Sequence, residues 1–200
     1  MEIDSFKTIV IPAEAELKIS KSKFISQIYP VTNSEEVNQT LTSARKKYYD
    51  AAHHPYAYRL GLDANNFRYS DDGEPSGSAG KPIIEVIDKF ELTDVLIVVT
   101  RYFGGVKLGV GGLRRAIFEA AELAIQNSEI ITKQITEDFK IEFDYKYIGA
   151  VMNFIEKEQI IVLNNTSDDK VKLECSVIVS QIERFKNEIG KLTNASVIIS

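Results

Sequence analysis

Asp138-Phe-Lys-Ile-Glu-Phe-Asp-Tyr-Lys-Tyr147 alternates strictly, with Phe139, Ile141, Phe143, Tyr145 and Tyr147 on one face and Lys140, Glu142, Asp144 and Lys146 on the other. A period of two with one apolar face is a half-buried strand. Residues 149–159 then switch to helical spacing, with Val151, Met152 and Ile155 on one stripe. Residues 160–163 are a short apolar run ending in the turn signal Asn164-Asn165. Val171, Leu173, Cys175, Val177 and Val179 alternate again. Ile182, Phe185, Ile189 and Leu192 mark a second helix, and residues 195–199 close as a strand.

The order is therefore βαββαβ in about 65 residues, the motif of a ferredoxin-like domain with both helices on one face of an antiparallel sheet. Apolar patterning lapses over residues 132–137, which predicts a first domain at 1–134 and a second at 135–200. Upstream, residues 23–31 read as a strand, and Ser34, followed by Glu36 and Val37, as the N-cap of a helix running to about Tyr48. Residues 55–62 and 67–69 suggest a hairpin, and residues 81–90 a helix. The β-branched run at 95–100 suits a strand buried on both faces. Residues 113–126 predict a helix whose stripe of Leu113, Ala116, Ile117, Ala120 and Ala124 faces inward, turning Arg114, Arg115 and Glu122 outward. The fold class is α+β.

Bulk properties narrow the function. The 200 residues are 44% hydrophobic and 26% charged, an ordinary globular balance with room for two cores. A net charge of −5 excludes indiscriminate binding of nucleic acid over the whole surface, so any anion site must be local. The lone Cys175 has no internal disulfide partner, which fits a reducing compartment. Residues 1–10 lack the apolar run of a signal peptide, and nowhere do about 18 apolar residues occur in succession. The expectation is a cytoplasmic protein with no membrane partner.

Two segments stand apart: Ser70-Asp-Asp-Gly-Glu-Pro-Ser-Gly-Ser-Ala-Gly-Lys-Pro82 and Arg101-Tyr-Phe-Gly-Gly-Val-Lys-Leu-Gly-Val-Gly-Gly-Leu-Arg-Arg115. Each leads into a predicted helix. In the second, Gly104, Gly105, Gly109, Gly111 and Gly112 allow positive φ and close backbone approach, so successive N–H groups could line an anion-binding nest at a helix start. Arg114 and Arg115 then fall in the first helical turn, where they oppose the macrodipole unless an anion binds. Arg101 and Lys107 add charge, and Tyr102 or Phe103 offers a stacking face. The bland reading is that the glycines make tight turns and the cations are solvated, since neither Walker nor dinucleotide spacing is present.

In the first segment Asp71, Asp72 and Glu74 are oxygen donors, but an EF-hand spacing is absent and a turn built on Ser70, Asp71 or Asp72 is the plainer reading. His53 and His54 are adjacent, so their side chains diverge. Ser70, Ser76 and Ser78 have no nucleophile-elbow context. No catalytic residues, metal ligands or cofactor site emerge.

The run Ala52-His-His-Pro-Tyr-Ala-Tyr-Arg-Leu-Gly61, the two segments above and Lys21-Ser-Lys-Phe-Ile25 resemble, in the right order, the signatures of the YigZ/IMPACT family. That resemblance implies a first domain similar to the second domain of small-subunit ribosomal protein five. It also implies a tail similar to the ferredoxin-like domains of elongation factor G. Both relatives touch RNA, so the family implies nucleic-acid or ribosome association, with a role in translation control in its eukaryotic members. The sequence departs from the family at Val110, commonly threonine, at Arg114, commonly aliphatic, at Ile117, commonly aromatic, and at Ser78, commonly threonine.

The leading expectation is thus an RNA- or ribosome-associated module in which Arg101, Lys107, Arg114 and Arg115 contact phosphate, with Tyr102 and the glycine amides completing the site. His53, His54, Tyr58, Arg59, Ser70, Asp71, Asp72, Glu74 and Ser76 would shape the neighbouring cleft. The alternatives are a hydrolase or phosphate-ligand enzyme working near His54 and Asp72, and an adaptor that binds a protein partner in translation control.

Overall fold

Two units, each with its own apolar core, make up the computed structural model, which describes residues 3–63 and 65–200. One is Phe6–Lys133; the other joins Gln134–Ser200 to residues 3–5. In chain order the elements are β1 (Ser5–Ile9), β2 (Ala13–Ile19), β3 (Ser22–Pro30), α1 (Ser34–Lys47), β4 (Tyr56–Arg59), β5 (Phe67–Ser70), α2 (Gly80–Lys89), β6 (Val95–Tyr102), α3 (Gly109–Gln126), β7 (Ile130–Gln134), β8 (Thr136–Phe143), α4 (Ile148–Lys157), β9 (Ile161–Asn165), β10 (Val171–Ile178), α5 (Ile182–Leu192) and β11 (Ile198–Ile199). The fold is mixed α+β.

In the larger unit five strands form an antiparallel sheet in the order β2-β3-β6-β4-β5. Its centre is the β-branched run of β6. Val95, Ile97 and Val99 point to α2 and α3, packing with Ile83, Ile87, Ala116 and Ile117, while Leu96 and Val98 point to Val37 and Leu41 of α1. Burial on both faces is why no alternation shows in this strand; each such side chain contributes about 1.5–3 kcal/mol. The stripe of α3 is buried as its spacing implies, extended by Ala121 and Ile125.

Three local details of this unit differ from the sequence reading. α3 begins at Gly109 rather than Leu113, because Gly111 and Gly112 adopt helical geometry despite their low propensity. The cap of α1 is Asn33, not Ser34: the Asn33 Oδ1 accepts the Glu36 N–H at 2.9 Å, and the Glu36 carboxylate accepts the Thr32 N–H at 2.7 Å. β2 was not anticipated, although Ala13, Ala15, Leu17 and Ile19 alternate against the core with exposed Glu14, Glu16 and Lys18. At the end of the unit β7 pairs with β1, so residues 130–134 are held as a strand.

The smaller unit realises the βαββαβ order as an antiparallel sheet, β11-β8-β10-β9, the ferredoxin-like arrangement. Phe139, Ile141 and Phe143 of β8 and Val171, Leu173, Cys175 and Val177 of β10 are buried with Val151 and Ile155 of α4 and Phe185 and Ile189 of α5. Burial pushes the Cys175 thiol up to about 11, so it is an inert core side chain. The alternation of Tyr145 and Tyr147 does not continue β8; both lie in a 3₁₀ turn that feeds α4, and Met152 is turned outward. β11 is shorter than its apolar run because Asn194 and Ala195 take positive φ values of 52° and 56°. Among the described residues no helix is long and apolar enough to cross a membrane.

The cap assignment separates neighbouring residues. Asn33→Ala should cost about 1 kcal/mol in urea unfolding, whereas Ser34→Ala should change stability by less than about 0.5 kcal/mol; the reverse ranking would return the cap to Ser34.

Candidate functional site

The acidic loop between β5 and α2 organises itself around backbone donors. Asp71 accepts from the Ala79 and Gly80 N–H groups through Oδ1, at 2.9 and 2.8 Å, and from Gly77 N–H through Oδ2, at 2.8 Å. It thereby caps α2, whose own N-cap, Ala79, has no side chain to do so. Asp72 accepts from Arg45 Nη2 at 2.8 Å and from the His54 N–H at 2.7 Å, and its own N–H donates to Ser70 Oγ at 3.2 Å. Glu74 is buried and accepts from Arg101 Nη1 through both oxygens, at 2.7 and 2.8 Å. All three carboxylates are engaged, and among the described residues no group of three His, Cys, Asp or Glu is placed to hold a metal ion. Ser76 is exposed; Ser78 is buried and donates to the Pro75 carbonyl at 2.6 Å.

The histidines diverge. His53 pairs its backbone with Arg101 in an isolated bridge, and its Nδ1–H donates to the Asp72 carbonyl at 2.8 Å. His54 is buried, with Nε2 3.2 Å from the Tyr48 carbonyl, so that nitrogen carries the proton; burial holds its pKa below the usual histidine range.

In the glycine-rich segment the five glycines have different reasons to be there. Gly104 lies against the turn before β3: a Cβ would sit 2.0 Å from the Lys21 backbone. Its N–H donates to Ser22 Oγ at 3.2 Å. Gly105 and Gly109 take positive φ, 82° and 69°, and Gly111 and Gly112 are helical. What the segment presents is therefore a tight turn and a helix start rather than one continuous nest. The N-cap of α3, Leu108, offers no acceptor and the first turn contains no acid, so its amides keep the full positive end of the dipole.

Two of the four cations stand free at this end. Lys107 and Arg115 are exposed and have no ion pair among the described residues. Arg114 binds both Glu85 oxygens through Nη2, with Oε1 at 2.7 Å, and the Gly77 carbonyl through Nη1 at 3.3 Å. Because α3 starts early, Arg114 and Arg115 occupy its second turn, not its first. Helical side chains lean toward the N-terminus, which puts Arg115 over the turn containing Gly111 and Gly112. The Tyr102 hydroxyl donates to Asp50 at 2.7 Å, and that bond pushes the phenol up to about 12.

The two loops meet around a cavity of about 480 Å³, with His53, Glu74 and Pro75 on one side and Phe103, Lys107 and residues 108–110 on the other. Arg101 forms part of its wall. The guanidinium lies 5.6 Å from the Phe24 ring and 5.5 Å from that of Phe103, and its Nε is buried without a partner, an omission that costs about 1–3 kcal/mol. Tyr58 and Arg59 lie elsewhere: Tyr58 packs in the α1-side cluster, and Arg59 pairs with Asp88 beside the Phe67 ring. Sequence reasoning passed over Glu85, the partner of Arg114. Its one signal was an acid among Ile83, Ile84, Val86 and Ile87, all buried in α2.

Residues 20–125 match the family model of the Impact N-terminal domain. The chain is 31% identical to the IMPACT family member YvyE of Bacillus subtilis over 192 residues, covering 96% of this chain and 88% of that one. Identity to the IMPACT family member YigZ of Escherichia coli is 24%, over 97% of this chain and 96% of that one. A crystal structure of a hypothetical protein shares the fold, with a TM-score of 0.70 and 24% identity over 99% of this chain and 97% of that one.

Two stability measurements probe this arrangement. Glu74→Ala leaves the buried Arg101 without its counter-charge and should cost about 3–5 kcal/mol in urea unfolding, against less than about 0.5 for the exposed Ser76→Ala. The lowered His54 pKa means that the unfolded chain binds the proton first, so stability should fall as pH drops below about 6.5. His54→Gln should flatten that fall; an equal slope in both proteins would remove His54 from the acid response.

Proposed function

The chain belongs to the IMPACT family, and on that premise we propose that it is a non-catalytic, RNA- or ribosome-associated protein whose anion site is the N-terminal turn of α3. The observation that carries this reading is the uncapped helix start, with no acid in its first turn, beside the exposed and unpaired Lys107 and Arg115. An RNA phosphate supplies what those amides lack, as anions do at other helix N-termini. Lys107 and Arg115 make the direct phosphate contacts. Arg101 and Arg114, bound to Glu74 and Glu85, position the wall and the helix rather than meet the anion.

The same reading takes the unit Phe6–Lys133 as akin to the second domain of small-subunit ribosomal protein five. It takes the ferredoxin-like unit as akin to elongation factor G domains, and sets the protein at work in translation control in the cytoplasm. The net charge of −5 is consistent with a site that is local and salt-sensitive rather than spread over the surface.

Co-sedimentation with ribosomes across a range of salt tests the proposal. Wild type should bind with a salt-dependent affinity, and Lys107→Ala and Arg115→Ala should each reduce the log–log salt slope by about one. Absence of wild-type binding at low salt, or slopes unchanged in both variants, would falsify it.

A further inference from the structure

We propose that the cavity beside α3 holds one unpaired base of a nucleotide, guanine in preference to adenine, while that nucleotide's phosphate rests on the α3 amides. This rests on the phosphate reading above but makes a separate claim about the cavity. The charge distribution divides the two roles. On the lining, Arg101 and Glu74 are an ion pair and cancel, which leaves Lys107, beside the helix start, as the one cation without an ion pair there among the described residues. The positive charge is thus gathered at the helix-start end of the cavity, where Lys107 and the uncapped α3 amides lie together. A neutral group with an anionic tail fits that division, and the volume of about 480 Å³ is within the range of small-ligand pockets.

The walls favour an aromatic occupant. Val110, Leu113, Leu108 and Pro75 are apolar, and Phe103 stands 51% exposed at the cavity, an exposure with no packing explanation. A base stacked on Phe103 covers it, as bases do on aromatic platforms. Arg101 then selects among bases. It is 93% buried by its 7% exposure, donates only through Nη1, and leaves Nε without an acceptor. The edge that carries Nε is closed to solvent between the Phe24 and Phe103 rings; once Phe103 moves aside, its unused donors match the adjacent O6 and N7 acceptors of guanine, whereas adenine places an amino donor beside its N7. Phe103 must shift from the guanidinium as it stacks, which its exposed position permits.

Calorimetric titration of the intact protein with GMP, AMP and inorganic phosphate, and with short single-stranded RNAs differing by one guanine-to-adenine exchange, tests this. GMP and the guanine RNA should bind about tenfold more tightly than their adenine counterparts, and phosphate alone far more weakly. Phe103→Ala, at an exposed position, should lose about tenfold for nucleotides with little change for phosphate. Arg101→Lys should remove the preference for guanine if it folds; the Phe103 variant decides the matter if it does not. Equal affinity for guanine and adenine overturns the base-in-cavity assignment and leaves the phosphate site standing. Selective binding of GMP without RNA keeps the cavity assignment and removes the RNA reading. No binding of any probe rejects both.

Discussion

The buried ion pair between Glu74 and Arg101 is the constraint on which the site depends. Arg101 is the last buried residue of the most deeply buried strand, and Glu74 lies in a loop that has no regular structure of its own. Neither charge is tolerable in the interior alone, so the pair forces the loop against the end of β6. Asp71 secures the same loop to the start of α2, and Asp72 to His54 and Arg45. The loop is thus fixed by three carboxylates with three kinds of partner: amides, a mixed set and a guanidinium. That fixed loop is what gives the glycine-rich segment an opposite wall.

The pairings also sort the cations. With Arg101 held by Glu74 and Arg114 by Glu85, much of the positive charge in Arg101–Arg115 stretch of sequence is internal and structural. Lys107 and Arg115 remain, and among the described residues of this unit they lie at the one helix start with no side-chain cap; α1 is capped by Asn33 and α2 by Asp71. In an acidic protein this contrast makes a small region of positive potential, with a short range at physiological salt of about 8 Å.

Legibility in the sequence followed the range of the interaction. The period of two in β8 and β10 and the two-faced run in β6 reflect burial along one element, and these were readable. The end of β8 was not, because Tyr145 and Tyr147 keep the alternation going while the backbone turns into a 3₁₀ segment. Asn33 and Ser34 are both good caps, and only the observed hydrogen bond separates them. The motif loops could be recognised as unusual, but the bond from Arg101 to Glu74 spans 27 positions and that from Arg114 to Glu85 spans 29. Pairings of that separation have no period to read, so Arg101 and Arg114 looked as available to an external phosphate as Lys107 and Arg115.

Gly111 bears on the role proposed for the helix start. It sits in α3 without positive φ, and a Cβ there would meet nothing within 4 Å, so neither the backbone nor packing within the protein calls for glycine. Alanine at a helical position is favoured by about 1 kcal/mol. Gly104 differs, since the Lys21 backbone leaves no room for a side chain. Gly149 in α4 and Gly190 in α5 are equally open, so an unneeded glycine alone assigns no site; at α3 the proposed anion would reach the uncapped N–H groups more closely over bare backbone than past a methyl group. The same bare turn lies under Arg115, so the close approach and the free charge converge on one place.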